Sequence, residues 1–351
     1  MPGDEVGVVV PADATGRRSS SALGRAVVAD ALRGIDPVGA AGVERESNWR
    51  NGYPVHFRRV LEAGLGSRPA AVRVASDGLD SLRRRMQYRS PDGSAQPLES
   101  IDWDQDGPSL STEEIRGDGE PDTEFSLPLG GDRLTGDSLA RQLESWAAAG
   151  VLERSAVDAV RTVMAHPEWL RLDGHTIVVL GAGAEMGPLP ALLRWGARVA
   201  AVDLPAPAIW RRVLTAGRGR AGSMVVPVAA GSVGAADSVA ERAGVDLLSE
   251  LRAIAHWIAN LDGRIVLGNY VYADGVTNLR LSAAVDALTV FLQDVRPDLA
   301  LAFLATPTDV FAVSERIVGD HHRRTFRMRH QETDLQGHVA AGCSGSSATH
   351  R

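Results

Sequence analysis

At 351 residues and 44% hydrophobic, the chain is long enough for two domains, or for one large domain with extensions, around a sizeable core. Its net charge of −7 and pI near 5.7 argue against nonspecific nucleic-acid binding, which neutralises phosphates with Lys and Arg. All 37 basic residues are arginine, which excludes Schiff-base chemistry, a P-loop and any lysine-dependent proton relay.

Cys343, in a Gly/Ser-rich tail, is the single cysteine, so neither an internal disulfide nor a cysteine-based zinc cluster is expected. No run approaches the roughly 18 apolar residues of a membrane span, and the start lacks the basic and apolar regions of a signal peptide. The expectation is a cytoplasmic protein acting on a small molecule, without a nucleic-acid or membrane partner. The oligomeric state is left open, with a homodimer as one candidate.

Residues 1–20 read as a flexible lead-in. An accessory α+β region follows over 21–132. There, Ser21 to Arg33 and Val55 to Ala63 have helical apolar spacing, and Ala70 to Arg84 suggests a strand and a helix. The basic run in SLRRRMQYR reads as a solvated helix side. From Ser90 to Asp132 the chain turns to Gly, Pro, Ser and acids, and PLESIDW and EFSLPL suggest a hairpin around an acidic loop. Asp102, Asp104 and Asp106 lack the glycine and closing glutamate of an EF-hand, so no metal is expected. A helical hairpin is expected over 133–170. Thr135 and Gly150 bound its first helix, Ser138 to Ala149, and Pro167 stops its second, Arg154 to His166. His166 then sits at a helix terminus, facing its dipole.

The next domain, 171–320, opens with DGHTIVVLGAGAEMGPLPALLRWGARVAAVDL. Thr176 to Leu180 is a β-branched apolar strand of the kind buried on both faces. Gly181, Gly183 and Gly187 permit a sharp turn and a close approach to a phosphate, ahead of a helix from Pro188 to Trp195. Arg198 to Val202 is a second strand, and Asp203 ends it about 20 residues beyond the first glycine, where a carboxylate holds ribose hydroxyls. Gly181, Gly183, Glu185, Met186, Gly187, Asp203 and Leu204 are the expected cofactor contacts. Downstream, Pro207 to Ala216 is a helix, Ser223 to Val228 a third strand, Val245 to Leu248 a fourth and Arg264 to Leu267 a fifth. Leu279 to Val295 is a long helix and Leu299 to Leu304 a sixth strand. Alternating strands and helices predict an α/β fold, a doubly wound parallel sheet of Rossmann type, with residues 321–351 as a basic, Gly/Ser-rich, disordered tail.

The span from about 172 to 310 resembles a short-chain dehydrogenase/reductase. LDGHTIVVLGAGAEMG is similar to that family's first strand and glycine turn, and GARVAAVDL to its second strand with an acid that selects NAD. GRIVLGNYVYADG resembles its serine-bearing strand, LSAAVDALTVFLQDV its active-site helix, and LALAFLATPTDVF its last core strand and proline turn. Leu180 stands where the family has threonine, and Glu185 replaces a glycine. Leu281 and Val285 fall where its Tyr-x-x-x-Lys pair belongs, and Asn269 or Tyr270 falls near its serine. The resemblance therefore implies an NAD(P)-dependent oxidoreductase whose usual proton relay is missing.

A replacement donor is expected after the fifth strand: Tyr270 or Tyr272 as acid, Asn269 orienting a carbonyl, and Asp274 as base or as partner of a cationic substrate. The same residues read equally as strand-end packing, with Asp274 opening a turn at Gly275. Asp309 is a weaker candidate that also reads as a helix cap. Two further readings stand beside the oxidoreductase. One is an S-adenosylmethionine-dependent methyltransferase, with Asp203 again on the ribose. The other is a non-redox protein, an isomerase, a cyclase or a structural nucleotide binder.

Overall fold

The computed structural model describes residues 5–105, 108–231 and 239–304. The chain begins with a strand, β1 (Gly7–Val9), and four helices, α1 (Ser20–Arg33), α2 (Pro37–Arg45), α3 (Trp49–Gly64) and α4 (Arg68–Arg85). Strands β2 (Gln87–Arg89) and β3 (Ala95–Pro97) complete a small antiparallel sheet ordered β1-β2-β3. Each cap here is written locally. Ser19 accepts from the Ala22 amide at 3.2 Å, Asp36 from Gly39 at 2.9 Å and Ser67 from Ala70 at 3.2 Å, each satisfying one orphan N–H of a first turn.

Strand β4 (Leu110–Arg116), the hairpin β5 (Leu127–Leu129) and β6 (Asp132–Leu134), and helices α5 (Gly136–Ala149) and α6 (Arg154–Ala165) come next. Then strands and helices alternate: β7 (His175–Leu180), α7 (Leu189–Arg194), β8 (Arg198–Val202), α8 (Pro207–Gly217), β9 (Ser223–Ala229), α9 (Val239–Arg242), α10 (Leu251–Ala259), β10 (Arg264–Asn269), α11 (Gly275–Val295) and β11 (Ala300–Phe303). The result is a mixed α/β protein with a six-stranded, mostly parallel sheet ordered β11-β10-β7-β8-β9-β4. Only β4 runs antiparallel, pairing Leu110 with Ala229 through to Arg116 with Ser223.

Strand alternation divides the core. Val178, Leu180, Ala200 and Val202 face α10 and α11, whereas Ile177, Val179, Val199 and Ala201 face α7 and α8. Val178, Val179 and Leu180 are fully buried, and each such side chain contributes about 1.5 to 3 kcal/mol. Their near-continuous apolar character is what a central parallel strand requires.

Several expectations are corrected. The supposed lead-in contains β1, whose Val8 and Val9 are fully buried. Ala70 to Arg84 carries no strand, because the Ser67 cap and Pro69 at the start commit the segment to α4 despite Val72 and Val74. PLESIDW and EFSLPL do not pair. Leu98–Ser100 is a 3-10 turn, Leu127–Leu129 pairs with β6, and the acidic stretch between them supplies β4 to the main sheet. Helix α2 is an addition. Two arginines of SLRRRMQYR are tethers: Arg83 holds Asp286 of α11 through two bonds of 2.7 and 2.8 Å, and Arg85 holds Asp30 at 2.9 Å, while Arg84 is exposed. Val245 to Leu248 forms no strand, because the Asp246 carboxylate accepts from the Leu248 amide and the Ser249 hydroxyl and folds the segment into a turn. The strand read as fifth, β10, therefore pairs directly with β7. Helix α11 is, by length and composition alone, long and apolar enough to cross a membrane, contrary to the expectation that no segment comes near. Here it lies on the sheet with Ala283, Ala284, Leu288 and Leu292 buried. The tail, Asp309 and Cys343 lie outside the described residues.

Asp30 gives the helical region an acid-labile tie. Burial alone would raise its pKa. The Ser81 hydroxyl and the guanidinia of Arg85 and Arg33 outweigh that and lower the carboxyl from 3.8 to about 2. A depressed folded-state value means stability that is complete above the unfolded value and is lost as pH falls through the folded one, an effect of about 2 kcal/mol. Asp30→Asn is expected to lose that amount at neutral pH and to show a flatter circular-dichroism acid titration between 3.8 and 2. An Asn variant with the parent's acid profile would remove Asp30 as the origin.

Candidate functional site

The carboxyl ends of β7, β8 and β10 meet at a cleft of about 350 Å³, within the usual range of small-ligand sites. Its walls come from the turn after β7, the end of β8 with α8, the 245–248 turn, and the segment joining β10 to α11. Gly181 holds φ +82°, and a Cβ there would lie 3.0 Å from the Tyr270 carbonyl. The Tyr270 amide in turn donates to Leu180 O at 3.0 Å, so the exits of β7 and β10 lie on one another. Gly183 has no room for a side chain either, since its Cβ would be 2.8 Å from Ile209.

Of the expected cofactor contacts, Gly181, Gly183, Asp203 and Leu204 line the cleft together. Glu185, Met186 and Gly187 do not. Met186 is 85% exposed and Glu185 is also exposed, so the carboxylate in the turn lies away from the cleft. Five of the seven amides from Gly181 to Gly187 are spent internally. Gly181 and Ala182 both donate to Val202 O, Gly183 to Asp203, Ala184 to Gly181 O and Gly187 to Ala184 O, all at 2.7 to 3.0 Å. The Asp203 carboxylate is a staple, taking the Gly183 amide on Oδ2 at 2.7 Å and the Leu204 amide on Oδ1 at 2.8 Å. Helix α7 has only six residues and begins beyond the last glycine.

The expected catalytic group separates. Tyr270 and Tyr272 line the cleft, whereas Asn269 and Asp274 do not. The Tyr270 ring folds over Gly268, where a Cβ would lie 2.6 Å from it, and burial pushes its hydroxyl pKa up. That makes it packing first and a poor acid. Tyr272 is 73% exposed, and its hydroxyl lies 3.4 Å from an Asp274 oxygen. Asn269 Oδ1 accepts from the Val271 amide at 3.3 Å and shapes the loop. Leu281 lines the cleft, and Val285 is buried. His166 pairs with Glu168 at 2.9 Å and stacks on Trp169, outside the cleft.

Sequence reasoning missed Arg212, Asp246 and Thr277, which also line the cleft. Arg212 donates to Gly183 O at 3.2 Å and so stands beside Asp203. Asp246 was hidden by the apolar residues around it, which read as a strand. In comparisons with known proteins, the chain matches no family model, no curated protein and no solved structure.

Proposed function

We propose that the protein is a Rossmann-type enzyme that binds an adenosine-bearing cofactor in this cleft, and that the cofactor is S-adenosylmethionine in preference to NAD. The Rossmann reading is supported by the parallel strand order. Numbered in chain order, the strands run 3-2-1-4-5 from β9 to β11, with the reversal between β7 and β10 where the cleft lies. Asp203 keeps free lone pairs for ribose hydroxyls beside the two amides it already binds.

The observation that carries the cofactor choice is the internal use of the turn's amides. A pyrophosphate needs free backbone donors, and here five amides donate within the protein while Asp203 and Asp246 line the cleft against Arg212. S-adenosylmethionine has no phosphate and carries a positive sulfonium, which carboxylates favour. It would supply an electrophilic methyl group, with the chain's residues binding and orienting it. The second reading, an NAD(P)-dependent oxidoreductase, is favoured by Tyr272, whose hydroxyl at the cleft mouth is directed at Asp274 in an acid-base arrangement.

Thermal unfolding separates the two. S-adenosylmethionine is expected to raise Tm, as a ligand of the native state must, while NADH and NADPH at equal concentration leave it unmoved. The opposite result transfers the site to the oxidoreductase, and no response to any of them overturns the adenosine reading itself.

A further inference from the structure

A second pocket, of about 440 Å³, opens between α10 and β4 and shares no lining residue with the cleft. Arg252 lines it and is 8% exposed. Its Nε and Nη2 reach neither an acceptor nor solvent, and no carboxylate among the described residues pairs with it. The Tyr88 ring lies under the guanidinium at 4.5 Å. A π-face attracts the charge, but it offers no lone pair to the sealed N–H groups. An arginine does not shed its proton when buried, so the charge persists and calls for a counter-charge.

The rest of the lining supplies donors. Thr112 Oγ1 accepts the Trp257 indole N–H at 2.9 Å, which leaves the hydroxyl proton for another acceptor. Asn260 spends one N–H on His256 O at 2.8 Å and keeps the second. The acid in the lining, Asp104, is exposed at the rim. Leu110, Ala253 and Leu261 supply an apolar wall. A buried cation, surplus donors and an apolar wall are complementary to a negatively charged head on an apolar body.

We propose that this pocket binds a small organic oxyanion, its carboxylate or phosphate drawn by the uncompensated Arg252 charge and bonded by the Thr112 hydroxyl, and its body packed against Leu110 and Trp257. The site is independent of the cofactor cleft, and its test does not rest on that reading. Thermal unfolding of the full chain in an anion-poor buffer is followed with benzoate, phenyl phosphate, inorganic phosphate and neutral benzamide. Benzoate or phenyl phosphate at saturation is expected to raise Tm by about 3 °C, with benzamide inert. Whichever of the two gives the larger shift names the head group.

Arg252→Met is expected to abolish the shift and, in the anion-poor buffer, to be at least as stable as the parent, because it removes an uncompensated buried charge. Thr112→Val is expected to weaken the probe several-fold. Destabilisation of Arg252→Met in that buffer means the arginine is paired within the chain and overturns the proposal. A response to inorganic phosphate alone overturns the organic ligand, and no response to any anion overturns the site.

Discussion

Gly7→Ala is expected to cost at least about 3 kcal/mol of stability, from backbone strain of about 1 to 2 kcal/mol and the undocking of buried valines worth about 1.5 to 3 kcal/mol each. Gly7 holds φ +92°, and a Cβ there would lie 1.9 Å from Leu248 O and 2.7 Å from Ser249 Cα. Those are backbone atoms of the turn that Asp246 braces, so no side chain can swing aside to relieve the clash. The same contact seats β1. The Val8 amide donates to Leu248 O at 2.9 Å, and Val8 O accepts from the buried Arg280 Nε at 2.6 Å. Moving the strand strands that guanidinium as well. Gly16→Ala is the control, since Gly16 has φ +81° with nothing near its would-be Cβ, and so isolates strain from clash. Urea midpoints are expected to fall far more for Gly7→Ala than for Gly16→Ala. Equal midpoints would refute the close approach of β1 to the 248–249 backbone. Because Leu248 lines the cleft, Gly7→Ala is also expected to weaken ligand binding there.

That β1 escaped a sequence reading has a physical cause. GVVVP is too short and too near the terminus to show periodicity, and its burial depends on Leu248 and Arg280, far along the chain. By contrast, β7, β8, β9, β10 and α11 were legible because their apolar runs are continuous and are punctuated by Gly174, Gly196, Gly263 and Pro297, all local signals. Val245 to Leu248 misled for the opposite reason. Its residues are as apolar and as buried as a strand's, but one carboxylate bond to a nearby amide outweighs β propensity in so short a segment.

The candidate site divides in the same way. Positions fixed by chain spacing, Gly181, Gly183, Asp203, Tyr270 and Tyr272, do converge on one cleft. What their polar groups bind was not legible, since hydrogen-bond partners belong to the tertiary structure. The glycine turn reads as a phosphate cradle only while its amides are assumed free. Arg252 carries the same lesson. In sequence it is one arginine on an apolar helix, and only the packing around it shows that two of its guanidinium nitrogens find no acceptor among the described residues.

Asp203→Asn is expected to weaken cofactor binding at least tenfold and to destabilise the ligand-free protein by about 1 to 3 kcal/mol. Both carboxylate oxygens already accept backbone amides, from Gly183 and Leu204. An asparagine can present one oxygen only, so its NH₂ must face the other N–H, and two donors then meet in a partly buried place without an acceptor between them. The bond to a charged acceptor that is lost is worth about 1.5 to 3 kcal/mol. The turn after β7 should loosen as a result, because the Gly183 amide is one of three that tie it to the end of β8, the other two being Gly181 and Ala182 on Val202 O. Hydrogen exchange at Gly183 reads this directly, with protection in the parent and faster exchange in the variant. Tyr272→Phe, exposed and outside that network, is expected to leave exchange and binding unchanged while testing the proton-donor role of its hydroxyl. If Asp203→Asn lost binding with Gly183 protection and stability intact, the carboxylate would serve the ligand alone. If it kept full affinity, the adenosine site would lie elsewhere. Loss of both together is the expected outcome, because one side chain braces the glycine turn and lines the cleft.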